Sequence, residues 1–488
     1  MEIILREYLE VVPDPVSLIE SMRAVGYTTE SAVADIIDNS LSANASQIQV
    51  EYDATREPFV SILDNGSGMD AVELTNAMRH GSSNPNDVRD AGDLGRFGLG
   101  LKTASLSQCR KLTVASKKGG RIYARCWDLD FVQDHNKWLV IVPTESELEI
   151  LPQYATLSKQ ESGTLVVWEV LDKLMSGSVS PSEEMKIRMS DMQEHLSFIF
   201  HRFTKKEDDI DAVDIIVNGV KLHAVDPFLA GNSFTQVLEG QQIRINNETI
   251  NVQPYVLPHM SHLNPDEIRL AGGRDGLKHN QGFYIYRNRR LVIWGTWFRL
   301  VPKEEFYKLT RVKVDIPNTL DHLWSLDIKK SAAYPPDIIR NRLKDLIPHF
   351  ANTSKTTITY PGRKQKNISF EPIWERAEPS HGSFRYDLNI NNSTILKLTG
   401  DMNAKDQKNV QFLLKLISAA LPLESIYADL CSDKRSNKDD EDQLILELVS
   451  IARQLKEIAG LSILDILNLD PLARYPQHHQ QVIKEINV

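Results

Sequence analysis

Between residues 32 and 41 the apolar positions Ala32, Val33, Ile36, Ile37 and Leu41 recur at spacings of three and four. That periodicity predicts an amphipathic helix, with Thr28 or Thr29 placed to cap its start. A shorter helical run precedes it at 16–23, behind Pro13 and Pro15. Strand-like runs follow at 47–52 and 58–63, and residues 111–116 and 121–127 flank Lys117-Lys118-Gly119-Gly120 as a hairpin. A buried strand is expected at 165–170, then a Ser/Gly/Pro-rich break at 176–182. Beyond the break the pattern predicts a helix at 185–203, strands at 213–217 and 243–257, and a hairpin over 282–294 turning at Asn288-Arg289. Strands at 312–316 and 326–328 and a helix at 336–350 complete this stretch. After strand-like pieces within 384–398 the chain turns helical at 410–420, 442–459 and 461–469. Leu444, Leu448, Ile451, Leu455 and Ile458 form a heptad-like stripe of barely two heptads, which suits either a helix packed on its own domain or a dimer seam.

Three polar insertions interrupt the first of these patterns. In Glu30-Ser-Ala-Val-Ala-Asp-Ile-Ile-Asp-Asn-Ser-Leu41, Asp35 and Asn39 are four apart and stack on one helical face, with Asp38 beside them. A carboxylate there can deprotonate a water, and an amide oxygen one turn on can ligate Mg²⁺, which prefers oxygen donors. The plain alternative is a surface helix with its polar side in water. In Ile62-Leu-Asp-Asn-Gly-Ser-Gly-Met69, Gly66 and Gly68 permit close backbone approach beside Asp64, which can accept a hydrogen bond from an exocyclic amine; otherwise this is a simple turn. In Gly95-Arg-Phe-Gly-Leu-Gly-Leu-Lys-Thr-Ala-Ser105, Gly95, Gly98 and Gly100 precede a helical run, the arrangement that presents backbone N–H groups to phosphate, and Lys102 lies in its first turn. The spacing is neither a P-loop nor G-x-G-x-x-G.

Taken together and in this order, the three pieces resemble the GHKL ATPases, the class of gyrase, the heat-shock chaperone, histidine kinases and MutL. The resemblance rests on Asp35 to Asn39, Asp64 to Gly68 and Gly95 to Gly100, with Gly163-Thr164 as a fourth element, and it covers roughly residues 25–170. The wording is closest to MORC-like and MutL-like members. It implies an α+β protein: a GHKL (Bergerat) ATP-binding α/β sandwich at 1–180 with a lid at about 70–97, a transducer-like α+β domain at 181–350, and a mostly helical C-terminal domain at 351–488. It further implies ATP and Mg²⁺ as cofactors. Asn39 would hold the metal, and Asp64, Gly66, Gly68, Met69, Gly95, Arg96, Phe97, Gly98, Leu99, Gly100, Lys102 and Thr164 would hold the nucleotide. Asp35 stands where the family usually has Glu as general base, so hydrolysis is expected to be slow. In the family a transducer lysine reaches the terminal phosphate, and Lys329 or Lys330 is the candidate.

Composition narrows the reading. The 488 residues are 41% hydrophobic, which suits several packed domains. Lys and Arg total 56 against 66 Asp and Glu, a net charge of −10, so any contact with nucleic acid must be local. Arg287, Arg289 and Arg290, interleaved with Tyr284, Tyr286, Trp294 and Trp297, form the densest basic spot of 181–350; they suit either a nucleic-acid backbone or a hairpin with an aromatic core. Cys109, Cys126 and Cys431 show no paired or metal-like spacing, and with no signal peptide or membrane-length apolar run a cytoplasmic setting is expected. No His precedes Thr28, which argues against a sensor kinase, and no long charged linker suggests a chaperone. The expected function is an ATP-gated homodimeric clamp that is a slow ATPase, MORC-like and linked to DNA, with restriction or antiphage defence as its setting. The alternative is a slow or inactive ATPase serving as an ATP-dependent scaffold for a separate effector such as a nuclease.

Overall fold

The computed structural model describes residues 11–24, 26–55, 57–81, 100–174, 180–207, 210–245, 248–273, 276–320, 325–326, 333–359, 371–377, 385–423, 425–426 and 441–486. Two compact units divide the chain: Met1–Val256, Arg269–Pro302 and Thr310–Phe350 form the first, and Leu257–Ile268, Lys303–Leu309 and Ala351–Val488 the second.

The first unit opens with helices α1 (Pro15–Arg23) and α2 (Thr29–Ser42) and strands β1 (Gln47–Asp53) and β2 (Phe59–Asp64). Helices α3 (Ala71–Met78) and α4 (Gly100–Leu106) lead to the hairpin β3 (Lys111–Lys118) and β4 (Arg121–Asp128). Three short helices, α5 (Leu129–His135), α6 (Glu145–Glu149) and α7 (Tyr154–Lys159), precede β5 (Gly163–Glu169); each is too short to print a helical period on the sequence. Helix α8 (Pro181–Ile199), β6 (Asp214–Val217) and β7 (Val220–Lys221) follow. The resulting sheet runs β4-β3-β5-β2-β1-β6-β7, so it draws two strands from beyond residue 180, and β6 lies parallel to β1.

Alternation along the strands fixes the layers. Val60, Ile62, Val114 and Trp168 join Ala32, Val33, Ile36 and Ile37 of α2 in one core, together with the Met185, Met189 and Met192 stripe of α8. The intervening positions Leu63, Ala115, Leu165 and Val167 pack on the other side with Leu148 of α6 and Leu157 of α7. Residues 71–78, inside the stretch read as a mobile lid, are a regular helix. Asp70 and Glu73 form a reciprocal capping box, and Leu74 and Met78, four apart, are buried. Residues 82–97 of that stretch lie outside the described residues.

A second sheet in the same unit has the order β12-β11-β13-β10-β8, with β9 also on β10; its strands are β8 (Gln236–Val237), β9 (Gln241–Ile245), β10 (Glu248–Val256), β11 (Gly282–Arg287), β12 (Arg290–Thr296) and β13 (Thr310–Ile316). The run read as one strand over 243–257 is therefore the hairpin β9–β10. The hairpin β11–β12 turns at Asn288 and Arg289, both with left-handed φ, as a two-residue loop requires. Most of its basic and aromatic character is interior: Tyr284, Tyr286, Trp297, Arg287 and Arg290 are buried, Arg289 is half-buried and Trp294 is exposed.

The second unit contains a core of Leu444, Leu448, Ala452, Leu455, Ile466 and Val482. Most of the heptad-like stripe on the helix Glu441–Ala459 thus faces its own unit, packing on the helices Ile463–Leu467 and His479–Ile486, while Ile458 is exposed. Together the units give an α+β fold: an α/β sandwich, a second α+β sheet, and a largely helical C-terminal part.

Candidate functional site

Helix α2 carries the first group of candidates. Thr28 is its cap, accepting from the Ser31 amide, and Thr29 Oγ1 donates to Gln108 Oε1 at 3.0 Å, which ties the start of α2 to the chain just after α4. Asp35 is buried, and its Oδ2 accepts from the Tyr27 hydroxyl at 3.0 Å. A Cβ on Gly100, the first residue of α4, would lie 3.6 Å from the same oxygen. The start of α4 therefore abuts this carboxylate without a side chain between them. Asn39, one turn on, is exposed on α2.

Asp64 ends β2, where the sheet register sets it opposite Thr164 on one side and Ile48 on the other. Its Oδ1 accepts from the Gly66 amide at 2.9 Å and the Thr164 amide at 3.2 Å; its Oδ2 accepts from Ser40 Oγ at 2.8 Å. A carboxylate offers about four lone-pair sites, so among the described residues these three bonds leave one, on Oδ2, for a further donor. Burial pushes the Asp64 carboxyl above the usual carboxylate range, against the opposing pull of the Gly66 amide, Ser40 and the Thr164 amide.

The backbone around Asp64 is tightly nested. A Cβ on Gly66 would come within 2.9 Å of Ala43, and one on Gly68, at φ +66°, within 1.9 Å of the Lys117 carbonyl oxygen. A Cβ on Gly163 would meet the Asp64 carbonyl at 2.2 Å. Ser116 joins the pieces: its hydroxyl accepts from the Met69 amide at 2.8 Å, donates to the Gly163 carbonyl at 3.1 Å and lies 2.9 Å from Thr164 Oγ1. Ser162 closes the turn by donating to the Gly66 carbonyl at 2.7 Å.

Lys102 lies in the first turn of α4 with its side chain buried. Its ammonium donates to the carbonyls of Ala77 and Arg79, each at 2.8 Å, and so caps the C-terminus of α3. Burial pulls it down to about 8. The structure thus brings Asp35, Asn39, Asp64, Gly66, Gly68, Met69, Gly100, Lys102 and Thr164 onto α2, the β2 turn, α4 and the start of β5. Gly95, Arg96, Phe97, Gly98, Leu99, Lys329 and Lys330 lie outside the described residues.

Several neighbours of these residues were not anticipated. Ser40 and Ser116 complete the Asp64 surroundings, but serines in a helix and a strand carry no local signal of it. Arg290, from the second sheet, donates from Nε to Asp38 Oδ1 at 3.2 Å across a sequence separation of 252.

Residues 27–164 match the family described as histidine kinase-, DNA gyrase B-, and HSP90-like ATPase. An ATPase morc-1 of Caenorhabditis elegans is 31% identical over 134 residues, covering 27% of this chain and 15% of that protein. A DNA mismatch repair protein MutL of Shewanella oneidensis is 37% identical over 89 residues, covering 18% of this chain and 14% of that protein. The matches thus span about a seventh of these curated relatives. Among solved structures, the N-terminal domain of a DNA repair protein aligns with a TM-score of 0.43 and 15% identity over 69% of this chain and 98% of that one. Residues 27–164 thus carry a GHKL-type ATPase domain, and parts of the chain are similar to ATPase morc-1 and to MutL.

Proposed function

We propose that the protein binds ATP with Mg²⁺ and hydrolyses it slowly, as an ATP-gated homodimeric clamp. The observation that supports this best is Asp64: a buried carboxylate with one remaining lone-pair site, at the foot of a backbone cradle too close for any Cβ. Such an acceptor selects an exocyclic amine such as that of adenine. Gly66, Gly68, Met69 and Thr164 would line the base. Gly95, Arg96, Phe97, Gly98, Leu99 and Gly100 would supply backbone N–H groups to the phosphates, and Lys102 would hold the neighbouring α3 against α4.

The donor set fits Mg²⁺: Asn39 offers one exposed amide oxygen, and this ion keeps most of its waters. When bound, the ion offsets phosphate charge. Asp35, held by Tyr27, would take a proton from the attacking water. Its carboxylate is one methylene shorter than a glutamate's, so reach limits the rate. Lys329 or Lys330 would meet the terminal phosphate, and the three parts 1–180, 181–350 and 351–488 would act as ATP-binding, transducing and C-terminal domains, with a lid over about 70–97.

A link to DNA follows from the relatives' names, ATPase morc-1 and DNA mismatch repair protein MutL. Action in the cytoplasm, in restriction or antiphage defence, is part of the same proposal. The second reading is a scaffold that holds ATP with little or no turnover and recruits an effector such as a nuclease; the Asp at position 35 favours it. No helix among the described residues is long and apolar enough to cross a membrane.

Calorimetry with Mg·ATP and single-turnover hydrolysis test these readings. Wild type is expected to bind ATP and turn it over slowly, Asn39→Ala to lose the Mg²⁺-dependent part of the affinity, and Asp35→Ala to bind without hydrolysing. Unchanged hydrolysis in Asp35→Ala refutes the base assignment; binding with no hydrolysis in wild type favours the scaffold.

A further inference from the structure

Asp38 sits next to Asn39 on α2, yet it is turned into the protein. Its side chain is 2% exposed and its partner Arg290 is 8% exposed. The arginine reaches it from the second sheet for a definite reason. The two left-handed residues Asn288 and Arg289 close the β11–β12 turn, and the register then pairs Arg290 with Arg287 as the first rung of the hairpin. The guanidinium lies 4.8 Å from the centre of the Phe200 ring, at the end of α8, and also donates to its neighbour's carbonyl at Leu291. Helix α8 in turn packs against both α2 and β12. The preceding residue, in the turn, is tied down as well: Arg289 donates to the Arg202 carbonyl and to Glu207.

Three elements therefore meet at one guanidinium: the helix that presents Asp35 and Asn39, the end of α8, and the hairpin of the second sheet. A buried ion pair is an uneven device for stability, because apolar residues of similar volume often serve as well; its better-attested use is to fix one register between elements. An arginine suits this position, since its planar group can accept an aromatic face and a carboxylate together.

The geometry points to Arg290 as a positioning residue that couples α2 to the second sheet, so that occupation of the nucleotide site is felt in the β11–β12 hairpin through Asp38. A shift of α2 on binding must either carry Arg290 with it or break a buried ion pair. This inference rests on the reading of α2 as part of an ATP site.

The test uses the full chain and Mg²⁺ with a non-hydrolysable ATP analogue. Hydrogen exchange is followed over 282–296, and affinity is measured by calorimetry. In wild type, the analogue is expected to slow exchange of the hairpin amides at least fivefold. The double variant Asp38→Leu/Arg290→Met, which replaces the pair by apolar groups, is expected to bind within threefold of wild type but to lose that slowing. A double variant that binds and still slows exchange as wild type does overturns the coupling role, as does wild-type binding without any change over 282–296. No binding by wild type overturns the nucleotide reading itself, and this inference with it. Should the double variant not fold, Arg290→Lys, which keeps the charge, is compared with Arg290→Met; the lysine variant is expected to retain part of the slowing and the methionine variant none. Equal responses in those two overturn the proposal.

Discussion

Replacing Asp64 by Asn separates the fold's need for this side chain from the nucleotide's. The Gly66 and Thr164 amides both require an acceptor at the Oδ1 position, so the new amide oxygen must take that place. The amide nitrogen then replaces Oδ2 and meets Ser40, whose hydroxyl can turn to accept. None of these three partners is left unpaired, and a buried charge that burial already disfavours is removed, so thermal stability is expected to be unchanged or higher. The remaining amide hydrogen now points where the adenine amine would donate, placing donor against donor. ATP affinity is expected to fall on the order of 100-fold, about 2.7 kcal/mol. Asp64→Ala provides the contrast. It strands the Gly66 and Thr164 amides, each costing about 1–3 kcal/mol when buried without a partner, so its melting temperature should fall by more than about 5 °C. Scanning calorimetry and titration calorimetry on both variants, with ATP and GTP, measure the two effects apart. Asp64→Asn binding ATP as tightly as wild type would refute the reasoning.

Two further outcomes follow from local geometry. Gly68→Ala must force a Cβ to within 1.9 Å of the Lys117 carbonyl at a φ of +66°, whereas Gly119→Ala has a comparable φ of +59° and open space. Conformational strain of about 1 kcal/mol is common to both, so a larger loss of stability in Gly68→Ala isolates the clash, and equal losses by urea titration refute it. His80 has both ring nitrogens buried without a hydrogen-bond partner among the described residues, between Trp127 and Trp138, and burial, with Lys102 second, lowers it to about 4. The unfolded chain, with an ordinary value near 6.5, then binds a proton that the folded chain does not, so stability falls as pH drops from about 6.5 towards 4. His80→Leu should flatten part of that fall; His195 and His201, lowered to about 3 and about 4, keep acting in the same direction. Identical pH dependence in wild type and His80→Leu would count against this account.

Local pattern alone determined the amphipathic α2 with Asp35 and Asn39 on one face, the glycine turn after β2, and the two hairpins, because each is written within a turn of helix or a few strand residues. It also placed Asp64 beside glycines whose missing Cβ atoms the sheet then proved to need. What only the tertiary structure decided are the relations across the chain. Ser40 and Ser116 became partners of the Asp64 turn because β2, β5 and β3 lie side by side beneath α2. Lys102, expected from the sequence to meet the nucleotide, also caps α3, since the packing of α4 set the end of that helix within reach of its ammonium. Arg290 of the basic hairpin turned inward onto Asp38 because burying a guanidinium needs partners, and its carboxylate and aromatic face stand 252 and 90 residues away in the chain. A sequence shows which groups are capable of pairing; the packing of sheets and helices chooses which of them do.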